Sequence, residues 1–320
     1  MGTSFGSLVK SFTILNMKQN FILGFILASV FVIMAMGVWK ILPKQRVEEA
    51  ANIGLGTRKI SIVTSFYPLY FFASELGGDR SDVKNITPAG VEPHDYEPTA
   101  RDVIDIQNSN LLILNGGGFE AWGAKIKGEL SNDNVKVVEA GEGLFVNNDP
   151  HVWLSPEVAK SMIKNILLGM IKSDPENEAY YTRNMINLVE RLEKLQKDYV
   201  SGLMTCQSRD VVVSHEAFEY LAKEFNLEQI AISGLSPEEE PSTKKLVEIS
   251  KFIKEKGIKY IFFETLVSPK LAETIANEVG AKTLVLNPLE GLSEDEQGKK
   301  NYFTIMEDNL ANLRIALECQ

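Results

Sequence analysis

Residues 175–205 read PENEAYYTRNMINLVERLEKLQKDYVSGLMT, with no proline after the first position and no glycine before Gly202. The stretch predicts one long helix. At 1.5 Å per residue it would run roughly 40 Å, longer than the usual globular helix. On both sides, short apolar β-branched runs alternate with longer amphipathic segments. One reading of the stretch is a long surface helix. The other, favoured by what flanks it, is a rigid strut between two lobes with a cleft between them.

Working outward, strands are expected at 60–64, 111–114, 135–138, 211–213, 260–263 and 283–286. Helices are expected at 67–76, 100–108, 119–130, 156–173, 217–225, 243–256, 269–279 and 301–317, besides 175–205. Strand–helix alternation predicts an α/β fold with parallel sheets covered by helices. The expected organisation is a signal peptide or membrane anchor (1–42), a tether (43–58), an N-terminal α/β lobe (59–173), the linking backbone helix (174–205) and a C-terminal α/β lobe (206–320). No internal repeat or low-complexity tract is present.

A chain of 320 residues suits about two domains. With 44% hydrophobic and 24% charged residues it is ordinary globular material, not disordered, collagenous or coiled-coil overall. Residues 59–320 hold 27 basic and 41 acidic residues, a net of −14. Such a body is a poor partner for nucleic acid and a tolerable host for cations. Two cysteines exclude a disulfide-dense scaffold and a Cys-rich zinc module.

Residues 21–39 (FILGFILASVFVIMAMGVW) carry no charge and are long enough to cross a bilayer as a helix. An uncleaved anchor and a signal peptide starting at Met17, with Ala35 and Gly37 at a weak cleavage site, are the two readings. No cysteine follows the run to carry a lipid. Lysine and arginine flank the run on both sides, so their count does not place the body outside; that placement depends on the function.

The three histidines, His94, His151 and His215, all fall at connections. His94 lies in GVEPHDYEPTARD, His151 in DPHVWLSPEV, and His215 in VVVSHEAFEYLAKEF, where a strand is expected to turn into a helix. In open α/β sheets ligands bind beyond the carboxyl ends of strands. Neutral imidazole is the commonest protein metal ligand, and a helix N-terminus would keep His215 uncharged. Zinc takes four ligands, so a carboxylate is needed. Glu264, ending YIFFE, and Glu290, in LNPLEGL, are the candidates; Glu264 could equally accept a hydrogen bond from a histidine N–H.

TSFYPLYFFASELGGD, GVEPHDYEPTARD, LNGGGFEAW, DPHVWLSPEVAK, SHEAFEYLAKEFNL, ISGLSPEEEPS, FFETLVSPKLAETIANEVGAKT and LNPLEGL occur in this order across residues 60–318. In these segments the chain resembles the metal-binding receptors of bacterial ABC importers that capture zinc or manganese, and within them the zinc-capturing subgroup. The resemblance implies two α/β lobes joined by a long backbone helix, with one ion between them. It implies His94, His151, His215 and Glu290 as ligands, with Glu264 the runner-up carboxylate. Asn287 stands where many such receptors carry a ligating Asp, and the His- and acid-rich loop of many zinc receptors is absent. Three imidazoles and one carboxylate suit Zn²⁺; Mn²⁺, or Fe²⁺, is the alternative. The resemblance further implies an extracytoplasmic protein, periplasmic or on the outer face of the cytoplasmic membrane, acting as a monomer with an ABC permease and its ATPase subunit. In an exported body a disulfide between Cys206 and Cys319 is permitted; two free thiols are the other reading.

Two readings come from other classes. His215–Glu219 is similar to the HExxH pattern of zinc hydrolases, but its fifth residue is Glu219. A surface adhesin using the metal only for folding is the second. Gly116–Gly118 is followed by Phe119 and Glu120, without the Lys of a phosphate loop. An enzyme is not expected.

Overall fold

The structure, a computed structural model, describes residues 59–130 and 135–320. The apolar run 21–39 and the tether 43–58 lie outside the described residues. Among the described residues, no helix is long and apolar enough to cross a membrane.

Strand β1 (Ile60–Thr64) buries every residue except the half-buried Ser61, as a strand covered on both faces should. It lies between β2 (Ser81–Asn85) and β3 (Leu111–Leu114), and β4 (Lys136–Glu139) completes an all-parallel sheet ordered β2-β1-β3-β4. Side chains alternate between faces of a strand, and the two faces build two cores. Ile62, Leu111 and Ile113 pack with Leu69, Phe72 and Leu76 of α1 (Tyr67–Gly77) and with Met162, Ile163 and Ile166 of α4 (Pro156–Ser173). Val63, Leu112 and Leu114 face the other way, against Ile106 of α2 (Ala100–Asn108) and Ile126 of α3 (Gly123–Glu129).

After α4, a 3₁₀ turn at Pro175–Asn177 leads into α5 (Glu178–Leu203). Its 26 residues span about 39 Å. Tyr181, Leu188, Leu192, Leu195, Tyr199 and Leu203 are buried along it, a single apolar stripe at helical spacing. The stripe rests on α1 and α4 and on the C-terminal helix α9 (Tyr302–Ala316). The Tyr199 hydroxyl donates to the Met306 carbonyl at 2.7 Å.

The rest of the chain holds two parallel two-stranded sheets, β5 (Asp210–Val213) with β6 (Glu228–Ala231) and β7 (Tyr260–Phe263) with β8 (Lys282–Val285). β5 lies beside β7. Helices α6 (Glu219–Phe225), α7 (Thr243–Lys256) and α8 (Lys270–Val279) alternate with these strands. Cys206 and Cys319 form a disulfide.

The fold is mixed α/β with parallel sheets, as the sequence predicts. Strands β2 and β6 were not anticipated. Three expected helices start two or more residues later: the one expected at 119 begins at Gly123, the one at 175 at Glu178 and the one at 217 at Glu219.

Candidate metal centre

The three histidines and the two carboxylates all sit in connections. His94 lies in a 3₁₀ turn, Pro93–Asp95, between β2 and α2. The Glu92 carboxylate accepts from His94 N at 3.2 Å. Downstream, Asp102 and Thr99 cap α2 reciprocally: Asp102 Oδ2 accepts from Thr99 N at 2.9 Å and from the Tyr96 hydroxyl at 2.7 Å, and Thr99 Oγ1 accepts from Asp102 N. Burial works to raise the Asp102 pKa, but the hydrogen bonds from Thr99 and Tyr96 outweigh it and hold the carboxyl below its ordinary value. The His94 segment is therefore anchored at both ends.

His151 precedes the 3₁₀ turn Val152–Leu154 that leads into α4. Asp149 Oδ1 accepts from both His151 N (3.0 Å) and His151 Nδ1 (2.7 Å). His215 follows β5 by two residues, and Glu264 Oε1 accepts from its Nδ1 at 2.6 Å and from the Ser214 hydroxyl. Glu290 lies in the connection after β8.

These connections bring His94, His151, His215 and Glu290 together, one ligand atom of each lying within 4.8 Å of the others. Glu290 Oε1 is 3.3 Å from His94 Nε2, 3.2 Å from His151 Nε2 and 3.3 Å from His215 Nε2. His151 Nε2 and His215 Nε2 are 3.4 Å apart. A tetrahedral zinc with bonds of about 2.0–2.1 Å needs ligand–ligand edges of about 3.3–3.4 Å. His151, His215 and Glu290 are buried, and the His94 side chain is 10% exposed. Glu290 Oε2 is buried without a hydrogen-bond partner. A carboxylate shut away from water with a free oxygen, facing three ring nitrogens, suits a cation.

The electrostatics point the same way. Burial opposes charge on His151, but its bonds to Asp149 and Glu290 outweigh burial and raise its pKa. For His215 burial is likewise overcome, chiefly by the charges of Glu264 and Glu290, and its pKa stands well above the ordinary imidazole value. Burial would raise Glu290, but the neighbouring His215 and the hydrogen bonds from the histidines hold it well below the carboxylate range. Burial and the Glu290 charge push Glu92 up to about 9. The expectation that a helix N-terminus keeps His215 uncharged is corrected: α6 starts at Glu219, four residues later, and two carboxylates face the ring. The same geometry removes the HExxH arrangement, since residues 214–218 are not helical.

The two candidate carboxylates separate. Glu290 is in the cluster; Glu264 lies behind His215, on Nδ1. With Asp149 behind His151, two of the three rings carry the carboxylate–imidazole pairing that orients metal-binding histidines.

Sequence reasoning did not single out Asp149, Phe119 or Glu120. Gly116, Gly117 and Gly118 all have left-handed φ values (84°, 66° and 87°), open to glycine at no steric cost. This turn delivers Phe119, whose ring centroid is 4.5 Å from that of His94. Buried Glu120 ties the turn down, accepting from Ser65 Oγ (2.5 Å), Asn115 N (2.7 Å) and Gly116 N (3.0 Å). The glycine triplet therefore places the Phe119 ring against His94.

A parallel α/β fold with a buried, inward-facing His₃Glu cluster defines a metal-binding class of protein. Residues 62–316 match the family described as "Zinc-uptake complex component A periplasmic", and the chain belongs to that family. It is 38% identical over 280 residues to the high-affinity zinc uptake system protein ZnuA of Bacillus subtilis, covering 81% of this chain and 88% of that protein. It is 34% identical over 332 residues to the zinc-binding protein AdcA of Streptococcus pyogenes serotype M6, covering 94% of this chain but only 62% of AdcA. The solved Zn(II)-bound ZnuA-like domain of Streptococcus pneumoniae AdcA superposes with a TM-score of 0.73 at 38% identity, over 81% of this chain and 99% of the domain.

Proposed function

We propose that this protein captures one Zn²⁺ ion outside the cytoplasm and delivers it to an ABC permease driven by its ATPase subunit. His94, His151 and His215, each through Nε2, and Glu290 through Oε1 are the ligands. One observation carries the reading: the buried donor set has distances of 3.2–3.4 Å around Glu290 Oε1 and between two ring nitrogens, the edges of a tetrahedron sized for zinc. Three nitrogens and one oxygen suit zinc better than manganese, which favours oxygen. Four protein ligands leave no open coordination position of the kind a catalytic zinc needs, so the protein is a carrier and not an enzyme.

Residues 59–173 and 206–320 act as two lobes on either side of the site, and α5 within 174–205 is the strut. Its packing along the whole stripe restricts lobe motion, so capture involves local shifts. Residues 1–42 export or anchor the protein, which works as a monomer. Zinc entering the site displaces protons from the imidazoles.

The test is metal content and competition titration of the purified protein with Zn²⁺ and Mn²⁺, beside His94→Ala, His151→Ala, His215→Ala and Glu290→Gln. One zinc per chain, bound more tightly than manganese and weakened in all four variants, is expected. Full zinc affinity in any histidine variant would show the ligand set to be wrong.

A further inference from the structure

The segment that presents Glu290 is wound around one residue in the left-handed half of backbone space. Leu289 has φ 62°, and its side chain is fully buried. For a bulky residue this is an outlier. It persists only where its surroundings over-determine it, and it adjoins the one carboxylate of the cluster.

The surroundings are two buried asparagines and a tryptophan. Asn287 Oδ1 accepts from Leu289 N at 2.7 Å, bridging the turn from within. Asn287 Nδ2 donates to Thr265 Oγ1 at 3.1 Å. Asn309, on α9, grips the Asn287 backbone from both sides: its Oδ1 accepts from Asn287 N at 2.8 Å and its Nδ2 donates to Asn287 O at 2.7 Å. Trp153 Nε1 donates to Pro288 O at 2.7 Å. Asn287 and Asn309 are buried, and neither belongs to the four-residue cluster.

We propose that Asn287 and Asn309 are positioning residues for ion retention. They hold Leu289 in its left-handed turn and so aim Glu290 at the three imidazoles. The inference rests on the zinc reading of the site. It gives a role to Asn287, the residue that departs from the ligating Asp of similar receptors. An amide both accepts and donates, and Asn287 does both. With the amide gone, Leu289 N is a buried donor without its partner, and the turn relaxes toward ordinary φ values. Glu290 then swings off the nitrogens, because it is the next residue along the chain.

The test is the Zn²⁺ dissociation rate of the full chain, followed by stopped flow into excess chelator, together with the visible spectrum of the Co²⁺-loaded protein. Asn287→Ala and Asn309→Ala should release zinc at least tenfold faster and lose the intense absorption of four-coordinate Co²⁺. Asn287→Asp, which keeps the acceptor for Leu289 N, should stay within about threefold of the unmodified protein. Ile253→Ala, a buried change on α7 in a core that does not include Leu289, should lower the unfolding temperature without moving rate or spectrum. If the alanine variants do not fold, Thr265→Val replaces them, with about a threefold faster release expected. Unchanged release in folded alanine variants, or in Thr265→Val where it stands in, overturns the proposal. So does Asn287→Asp failing as badly as Asn287→Ala, or Ile253→Ala matching the asparagine variants. If the unmodified protein binds no zinc, the site reading itself fails. If it binds zinc and Glu290→Gln weakens it while the asparagine variants do not, only the positioning role fails.

Discussion

On the proposed assignment Glu264 holds a ligand and Glu290 is one, and replacing Glu264 by Gln tests that division. Glu264 Oε1 accepts from His215 Nδ1 at 2.6 Å and from the Ser214 hydroxyl. A glutamine of the same shape keeps an oxygen there but removes the charge. A hydrogen bond to a charged group contributes about 1.5–3 kcal/mol and a neutral one about 0.5–1.5 kcal/mol. The change therefore costs about 1–1.5 kcal/mol of His215 orientation. At about 1.4 kcal/mol per tenfold, zinc affinity falls roughly 5- to 12-fold. Glu264→Ala, which removes the acceptor altogether, should lose about 10- to 100-fold, the range for residues behind metal ligands. Glu290→Gln should lose more than either, because the ion then has no anionic donor. The assay is competition against a chromophoric zinc chelator at fixed pH and salt, with thermal unfolding of each zinc-free variant measured alongside. Equal losses in Glu264→Gln and Glu290→Gln would make both carboxylates ligands, and no loss in Glu264→Gln would remove its orienting role.

Two further outcomes follow from the scaffold. The Cys206–Cys319 disulfide joins residues 113 apart, and the double Cys→Ser variant should lose about 2–4 kcal/mol of stability, most of it through the unfolded chain; urea unfolding of the unmodified protein with and without reductant should show the same difference. Asp102 has a folded-state pKa below its ordinary value, so its contribution is present above about pH 4 and lost as pH falls through the folded pKa. Asp102→Asn should cost about 1–2 kcal/mol at pH 7, and the urea midpoints of the two proteins should converge in acid.

Central strands were legible because they are apolar on both faces: Leu111–Leu114 is buried at every position. β2 (SDVKN) and β6 (EQIA) are edge strands with exposed or half-buried residues, so no apolar run announces them. α5 was legible from its unbroken length, but residues 175–177 form a separate 3₁₀ turn ahead of it. The histidines stood out by scarcity and by their place at connections. Which carboxylate joins them did not, because Glu264 and Glu290 both follow strands of the same small sheet and differ only in how far the chain runs on before turning. Asp149 carried a local signal that was passed over: a carboxylate two residues before a histidine can reach both its N–H and its ring. The purpose of the glycine triplet depends on where Phe119 lands, and a one-dimensional pattern does not contain that.

His94 and Glu290 are 196 positions apart and are drawn from different connections. On the proposed assignment no fragment of the chain owns a competent site, and a nascent or nicked polypeptide cannot hoard the ion. Saturation must in turn reinforce the entire assembly, by about 4 kcal/mol at a thousandfold excess over the dissociation constant. Cargo and scaffold thus vouch for each other: only a fully assembled carrier can be loaded, and a loaded one resists proteases better than an empty one.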